Sequence, residues 1–244
     1  AGCGRTVTRK LIMLRHGQTE YNASGRMQGQ MDTKLSDVGI RQAEAVARYM
    51  KGVNIGYVVS SDLSRAAETA RIVASSRGLP VHLDSRLRET NLGDWQGQSR
   101  EDVDRDYPGA RAQWRHNALW APPGGESRIE VARRARDVIN ELMLAHPGWD
   151  DGAVLLVAHG GTIGSLTSDL LELSIEQHHM FTGLKNTNWA RLTARPRYSE
   201  EPNANGEGDP PVVPQPRFTP DTLGDAQWYL DGWNMSVAPG LEAG

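Results

Sequence analysis

The 244-residue chain has one cysteine, two phenylalanines and no long apolar run. A single thiol cannot build a disulfide framework or a cysteine-based zinc cluster. The strand-like run Val154–Ala158 is far shorter than the roughly 20 apolar residues a membrane span needs. No charged start leads into a long apolar stretch, so no signal peptide is read, and a cytoplasmic setting without a membrane partner is expected. Charge of one sign is also lacking, since 27 Lys and Arg stand against 30 Asp and Glu, a formal charge of -3. With no basic field and no block of like charge, a nucleic-acid partner is not expected.

What is present is ordinary for a soluble fold, if loop-rich, with 26 Gly and 13 Pro. The length predicts a single α/β domain with a sizeable core. Residues 1–10 are polar and read as a flexible lead-in, and residues 11–240 as the domain. Leu11–Leu14 is a short apolar run closed by a polar turn, the pattern of a buried strand. Ser36 can cap a helix that places Ala43, Val46, Ala47 and Met50 on one face. Tyr57–Ser60 reads as a second strand, Ser64–Arg77 as a helix, and Val81–Leu83 as an edge strand. Ser127-Arg128-Ile129-Glu130 is a capping box opening a further helix with Ala135, Val138, Ile139 and Leu142 aligned. Val154–Ala158 is then a strand, Thr162–Leu171 a helix, and Gln227–Trp233 a late strand. This alternation predicts a three-layer α/β/α fold around a mostly parallel central sheet. Seven of the 13 prolines fall within residues 195–220, which read as an insertion between two late strands.

The residues with chemical potential sit where strands end. Arg15-His16-Gly17 follows the first strand, and His159-Gly160-Gly161 follows the run at Val154–Ala158. Ligands of open α/β sheets bind beyond the carboxyl ends of strands, so both histidines are expected at one rim. Ser60-Ser61-Asp62-Leu63-Ser64-Arg65 brings Arg65 to a helix start on that rim, and Glu89 follows the third strand. Taken singly, the arginines could be surface ion-pair partners and Glu89 part of a simple ion pair. The adjacent His178-His179 side chains diverge and read as loop residues. Without cysteine ligands or His-Glu-x-x-His spacing, neither a metal site nor a cofactor is expected.

Together, Arg15-His16-Gly17, Ser60–Arg65, Glu89 and His159-Gly160 resemble the histidine phosphatase superfamily, also called the phosphoglycerate mutase-like proteins. The resemblance implies a phosphohistidine intermediate, with His16 as nucleophile and Arg15, Arg65 and His159 as a phosphate clamp. It also implies Glu89 as proton donor, Asn22 and Gln28 as polar residues lining the pocket, and backbone N–H groups offered by Gly29 and Gly160. The transition state of phosphoryl transfer spreads charge over three oxygens, so two guanidiniums and a protonated His159 could stabilise it without a metal. The same positive field would keep the His16 imidazole neutral.

Leu92 stands where the mutase branches carry a Tyr, which favours water over a second phosphorylated substrate as acceptor. Met13–Asn22, Arg26–Gln30, Glu89–Gly97, Trp120–Arg128 and Leu230–Asn234 resemble the glucosyl-3-phosphoglycerate phosphatases. That likeness implies a small phosphorylated sugar-acid substrate, release of glucosylglycerate for methylglucose lipopolysaccharide synthesis, and a homodimer. A broad-specificity phosphatase, a cofactor-dependent phosphoglycerate mutase, and a silent phosphate-binding regulatory protein are the alternatives. Trp95, Trp114 and Trp120 are expected in a lid, either packing it or offering a face to a sugar. Arg111, Arg115 or Arg128 could meet the glycerate carboxylate.

Overall fold

Six strands form one sheet in the order β3-β2-β4-β1-β5-β6, described here from a computed structural model covering residues 8–198 and 217–237. They are β1 (Arg9–Arg15), β2 (Ile55–Ser60), β3 (Val81–Leu83), β4 (Ala153–Ala158), β5 (Trp189–Pro196) and β6 (Ala226–Met235). The first four pair in parallel, and β5 and β6 add antiparallel strands at one edge. The sheet is therefore mostly parallel, as the alternation of elements implied. Every residue of β4 is buried, the burial expected of a strand covered on both faces.

The helices are α1 (Glu20–Ala23), α2 (Asp37–Tyr49), α3 (Ser64–Ser75), α4 (Arg100–Asp106), α5 (Ala110–His116), α6 (Arg128–Ala145) and α7 (Gly160–Leu170). Strand alternation sorts them onto two faces. Leu11 and Met13 of β1 face a core shared with Ala135, Val138 and Ile139 of α6 and Ile163 and Leu166 of α7. Ile12 and Leu14 face the opposite core with Val46 of α2 and Ala66, Ala70 and Val73 of α3. Among the described residues no helix is long and apolar enough to cross a membrane.

The caps were legible in the sequence. Ser36 Oγ accepts from the Gly39 N–H at 3.1 Å, and Ser127 and Glu130 form the reciprocal box that starts α6. One boundary is corrected. The lead-in was expected to run to Lys10, yet β1 begins at Arg9, which is 3% exposed and donates from Nε to Asp150 at 2.6 Å. A charged residue hid that strand start, because its cost of burial is offset by partners far away in sequence, Asp150 and the Met143 carbonyl. The remaining lead-in residues, Cys3 among them, and residues 199–216 of the proline-rich stretch lie outside those described.

The segment between β3 and α6 carries α4 and α5, neither of which the sequence pattern singled out. It has a small core of its own, in which fully buried Trp95 meets Trp114, Trp120 and Tyr107 with ring centroids 5.5–6.3 Å apart. Its Trp114 shares cavity walls with Arg15 at the end of β1, which brings this cap beside the strand ends.

Candidate active site

The sheet order sets β1, β4 and β2 side by side, and each ends in a turn that delivers functional side chains to one rim. His16 follows β1, Ser61 follows β2 with Arg65 in the first turn of α3, and His159 joins β4 to α7. The two imidazoles are 2% and 0% exposed, with ring centroids 5.1 Å apart. Gly17 lets the turn close, since a Cβ there would strike the backbone of Gly39.

His16 Nδ1 lies 2.7 Å from the Gly17 carbonyl oxygen. That nitrogen therefore carries the hydrogen and donates it, leaving the lone pair on Nε2. Burial, reinforced by the charges of Arg15 and Arg65, holds the His16 pKa well below 6.5 against the opposing bond to Gly17. A neutral imidazole with one free lone pair can attack an electrophile.

Arg65 is 1% exposed and donates to the carbonyls of Gly29 at 2.7 Å and Met31 at 2.5 Å. Arg15 donates to the Leu184 carbonyl at 2.6 Å. Among the described residues neither guanidinium has a carboxylate in ion-pair range. Burial lowers both pKa values, that of Arg65 to about 10, which still leaves a full charge at neutral pH. The Nε atoms of both arginines and Nδ1 of His159 are buried without a hydrogen-bond partner among the described residues. Buried cations and unpaired donors are costly in an isolated protein, but a tetrahedral dianion would satisfy all of them.

His159 corrects one expectation. A protonated ring was anticipated, whereas burial and the nearby charges of Arg65, His16, Arg15 and Arg134 hold its pKa well below 6.5. Its Nε2 lies 2.8 Å from Ser61 Oγ. If Ser61 donates there, the neutral ring still presents Nδ1–H, so it can serve as a hydrogen-bond donor without carrying a charge.

A cavity of about 310 Å³ opens beside the two guanidiniums, with Arg15, Asn22, Gln28, Gly29, Arg65 and Glu89 in its wall. The Asn22 side-chain oxygen accepts from Thr19 and Asn186, and that of Gln28 accepts from Thr19 and Thr33. Both amides therefore have only N–H groups left to offer an anion. Gly29 adopts φ +54°, where a side chain would also collide with Gln96. Gly160, the first residue of α7, lies instead on a second cavity of about 390 Å³. The two cavities share Arg15, Glu89, Trp114, Arg115 and Gly161.

Glu89 is held from several sides. Its Oε1 accepts from the Thr90 N–H at 2.7 Å and from the Thr90 hydroxyl, beside a Thr162 hydroxyl that donates to the Arg88 carbonyl at 2.7 Å, while among the described residues Oε2 accepts only from the Gly161 N–H at 3.1 Å. Oε2 thus keeps a free position toward the cavities. The backbone behind it is gripped by Arg134, which donates to the carbonyls of Arg86, Arg88 and Glu89 and pairs with Glu126 at 2.9 Å. Sequence reading missed Arg134, because an arginine on a long helix reads as part of its solvated face. It also missed Ser61, Thr90 and Thr162, small polar residues with no spacing signal.

The aromatic and cationic candidates separate. Trp95 is core, whereas Trp114 reaches both cavities. Arg111 is committed to Asp104 at 2.6 Å, while Arg115 and Arg128 have no carboxylate partner among the described residues. His178 and His179, read as loop residues, lie in a 3-10 turn (Ile175–Met180) on the wall of the second cavity.

With this arrangement in view, the comparisons define the class. The sequence model of the histidine phosphatase superfamily (branch 1) matches residues 11–201, and the chain belongs to that family. It is accordingly a phosphatase, a phosphoric monoester hydrolase. Among its relatives, a glucosyl-3-phosphoglycerate phosphatase of Mycobacterium tuberculosis is 48% identical over 234 residues, 94% of this chain and 96% of the relative. Another, from Mycolicibacterium vanbaalenii, is 44% identical over 233 residues, with the same shares covered. The structure of a mycobacterial glucosyl-3-phosphoglycerate phosphatase in complex with VO3 superposes with TM-score 0.80 at 42% identity, covering 93% of this chain and 100% of that one.

Proposed function

We propose that this chain hydrolyses the phosphomonoester of glucosyl-3-phosphoglycerate, releasing glucosylglycerate and phosphate through a phosphohistidine at His16. One observation carries the reading: a buried Arg65 and a half-buried Arg15, neither with a carboxylate in ion-pair range among the described residues, accompany a neutral imidazole whose Nε2 lone pair is free. Arg15, Arg65 and the Nδ1–H of His159 hold the phosphoryl oxygens, aided by Asn22, Gln28 and the backbone N–H of Gly29. Nε2 attacks phosphorus as the ester P–O bond breaks, and its electron pair goes to the leaving oxygen. Glu89 supplies that oxygen with a proton from Oε2 and becomes the base for the second step. There a water loses its proton to Glu89 and attacks phosphorus, and the P–N bond breaks to return the lone pair to His16. The 44–48% identity to glucosyl-3-phosphoglycerate phosphatases over nearly the whole chain supports the substrate. It also supports a place in methylglucose lipopolysaccharide synthesis, and the family likeness supports a homodimer. The lone cysteine supports a reducing, cytoplasmic setting.

The test is phosphate release from a panel of glucosyl-3-phosphoglycerate, mannosyl-3-phosphoglycerate and 3-phosphoglycerate, with labelled ester used to trap the intermediate. The expected result is the highest kcat/KM on the glucosyl ester and acid-labile, base-stable label on His16. Interconversion of 3- and 2-phosphoglycerate without phosphate release would favour a mutase instead. No label on His16 would remove the mechanism.

A further inference from the structure

Glu89 stands in the walls of both cavities, and this fixes what each can hold. A general acid must lie between the phosphorus and the departing group, because it protonates the bridging oxygen. The first cavity contains Arg65, Asn22 and Gln28 and so takes the phosphoryl group. The leaving group then extends past Glu89 into the second cavity. That cavity is bounded by α7 through Gly164 and Ser165, by His178 of the 3-10 turn, and by Trp233 of β6. Its wall is amphipathic. Phe181 and Trp233 pack with ring centroids 4.7 Å apart, and Trp114 lies beneath the Arg128 guanidinium at 4.8 Å. Three polar atoms on wall residues, Trp114 Nε1, Ser165 Oγ and His178 Nδ1, are buried without any partner among the described residues. Apolar ring faces interleaved with unpaired donors and acceptors suit a polyhydroxylated ring, which offers C–H faces and hydroxyls in alternation.

Building on the phosphatase reading above, we propose that this second cavity is the leaving-group subsite. In it Ser165 and His178 hydrogen-bond the hydroxyls of a glycosyl ring seated over Gly164. Arg115 and Arg128, in its wall and free of carboxylate partners among the described residues, face the acid group of the same leaving group.

The test is the ratio of kcat/KM for glucosyl-3-phosphoglycerate to that for 3-phosphoglycerate, both measured on one preparation so that any inactive fraction cancels. Gly164→Met is the principal variant. A Cβ at Gly164 meets nothing within 4 Å, and replacing a mid-helix glycine favours α7. Its side chain would fill the subsite, and the ratio is expected to fall at least ten-fold. The double variant Ser165→Ala/His178→Gln removes two hydrogen bonds, and a fall of about ten-fold is expected there too. A high wild-type ratio that Gly164→Met leaves within two-fold overturns the subsite alone. The same result from the double variant overturns the roles of Ser165 and His178. A wild-type ratio near one overturns the glucosyl substrate itself and the subsite with it.

Discussion

At the scale of single residues, the chemistry turns on which nitrogen and which oxygen are left free. The Gly17 carbonyl occupies Nδ1 of His16 and so exposes Nε2, while the N–H and hydroxyl of Thr90 occupy Oε1 of Glu89 and leave Oε2 lightly bonded. If Oε2 carries the transferred proton, Glu89→Gln has a selective effect. An alkyl phosphate has a basic leaving group and is expected to lose about 10²–10⁴-fold in kcat, the usual worth of general acid catalysis. An activated aryl phosphate needs little protonation and should lose less than ten-fold. Steady-state rates on both esters check this, and equal losses would remove the acid role. The same atoms explain what was legible. His16, Arg65 and Glu89 stand at strand or helix ends where a motif can be read, whereas Ser61 and Arg134 act through contacts 98 and 45 positions away in sequence.

At the scale of elements, the start of α7 positions the proton donor. Gly161 donates its N–H to Glu89, and a Cβ there would lie 2.5 Å from Glu89 Oε1 and 3.0 Å from Thr90 Oγ1. Gly161→Ala must therefore push the carboxylate aside. Displacing a catalytic group by about 1 Å can cost about 10²-fold, so kcat on the sugar phosphate is expected to fall by that order. Thermal stability should fall only by about 1 kcal/mol, because the shift breaks hydrogen bonds of Glu89 while the start of α7 gains a better helix former. Circular dichroism melting together with kcat measures both, and an unaltered kcat would show that Glu89 has more freedom than its bonds imply. Another positioning device is the loop before β5, where Thr187 takes φ 54° and its N–H bonds the carbonyls of Arg15 and His16 at 3.1 and 3.2 Å. That backbone costs on the order of 1–3 kcal/mol for a non-glycine residue, offset by fixing the turn that bears His16. A β-branched residue gives no hint of such a conformation in the sequence.

At the scale of the whole molecule, the site imposes a pH dependence on folding. His16 and His159 are held well below 6.5 by burial first and by neighbouring cations second. The unfolded chain, with histidines near 6.5, binds more protons than the folded one as pH drops below that value. Stability is therefore fully present above pH 6.5 and lost as the pH falls further, at up to about 2.7 kcal/mol per pH unit for two such groups. The melting temperature is expected to be clearly lower at pH 5.5 than at 7.5, and His16→Asn should lessen the difference by removing one of the two groups. Equal melting temperatures at both pH values would contradict the burial of two neutral imidazoles. The surface ion pairs, such as Arg105 with Asp102 and Asp106, are exposed and add little to this balance.

The sequence by itself determined the parallel sheet, the caps at Ser36 and Ser127, and the two His-Gly turns. Each is a local matter of apolar period, a side chain reaching its own backbone, or a glycine after a strand. Only the tertiary structure decided that His159 is neutral, that Arg111 is paired with Asp104 while Arg115 and Arg128 have no carboxylate partner among the described residues, and that His178 belongs to a cavity wall. Charge state and hydrogen-bond vacancy depend on which distant groups come within a few ångströms and how much water they exclude, and no short stretch of residues encodes that.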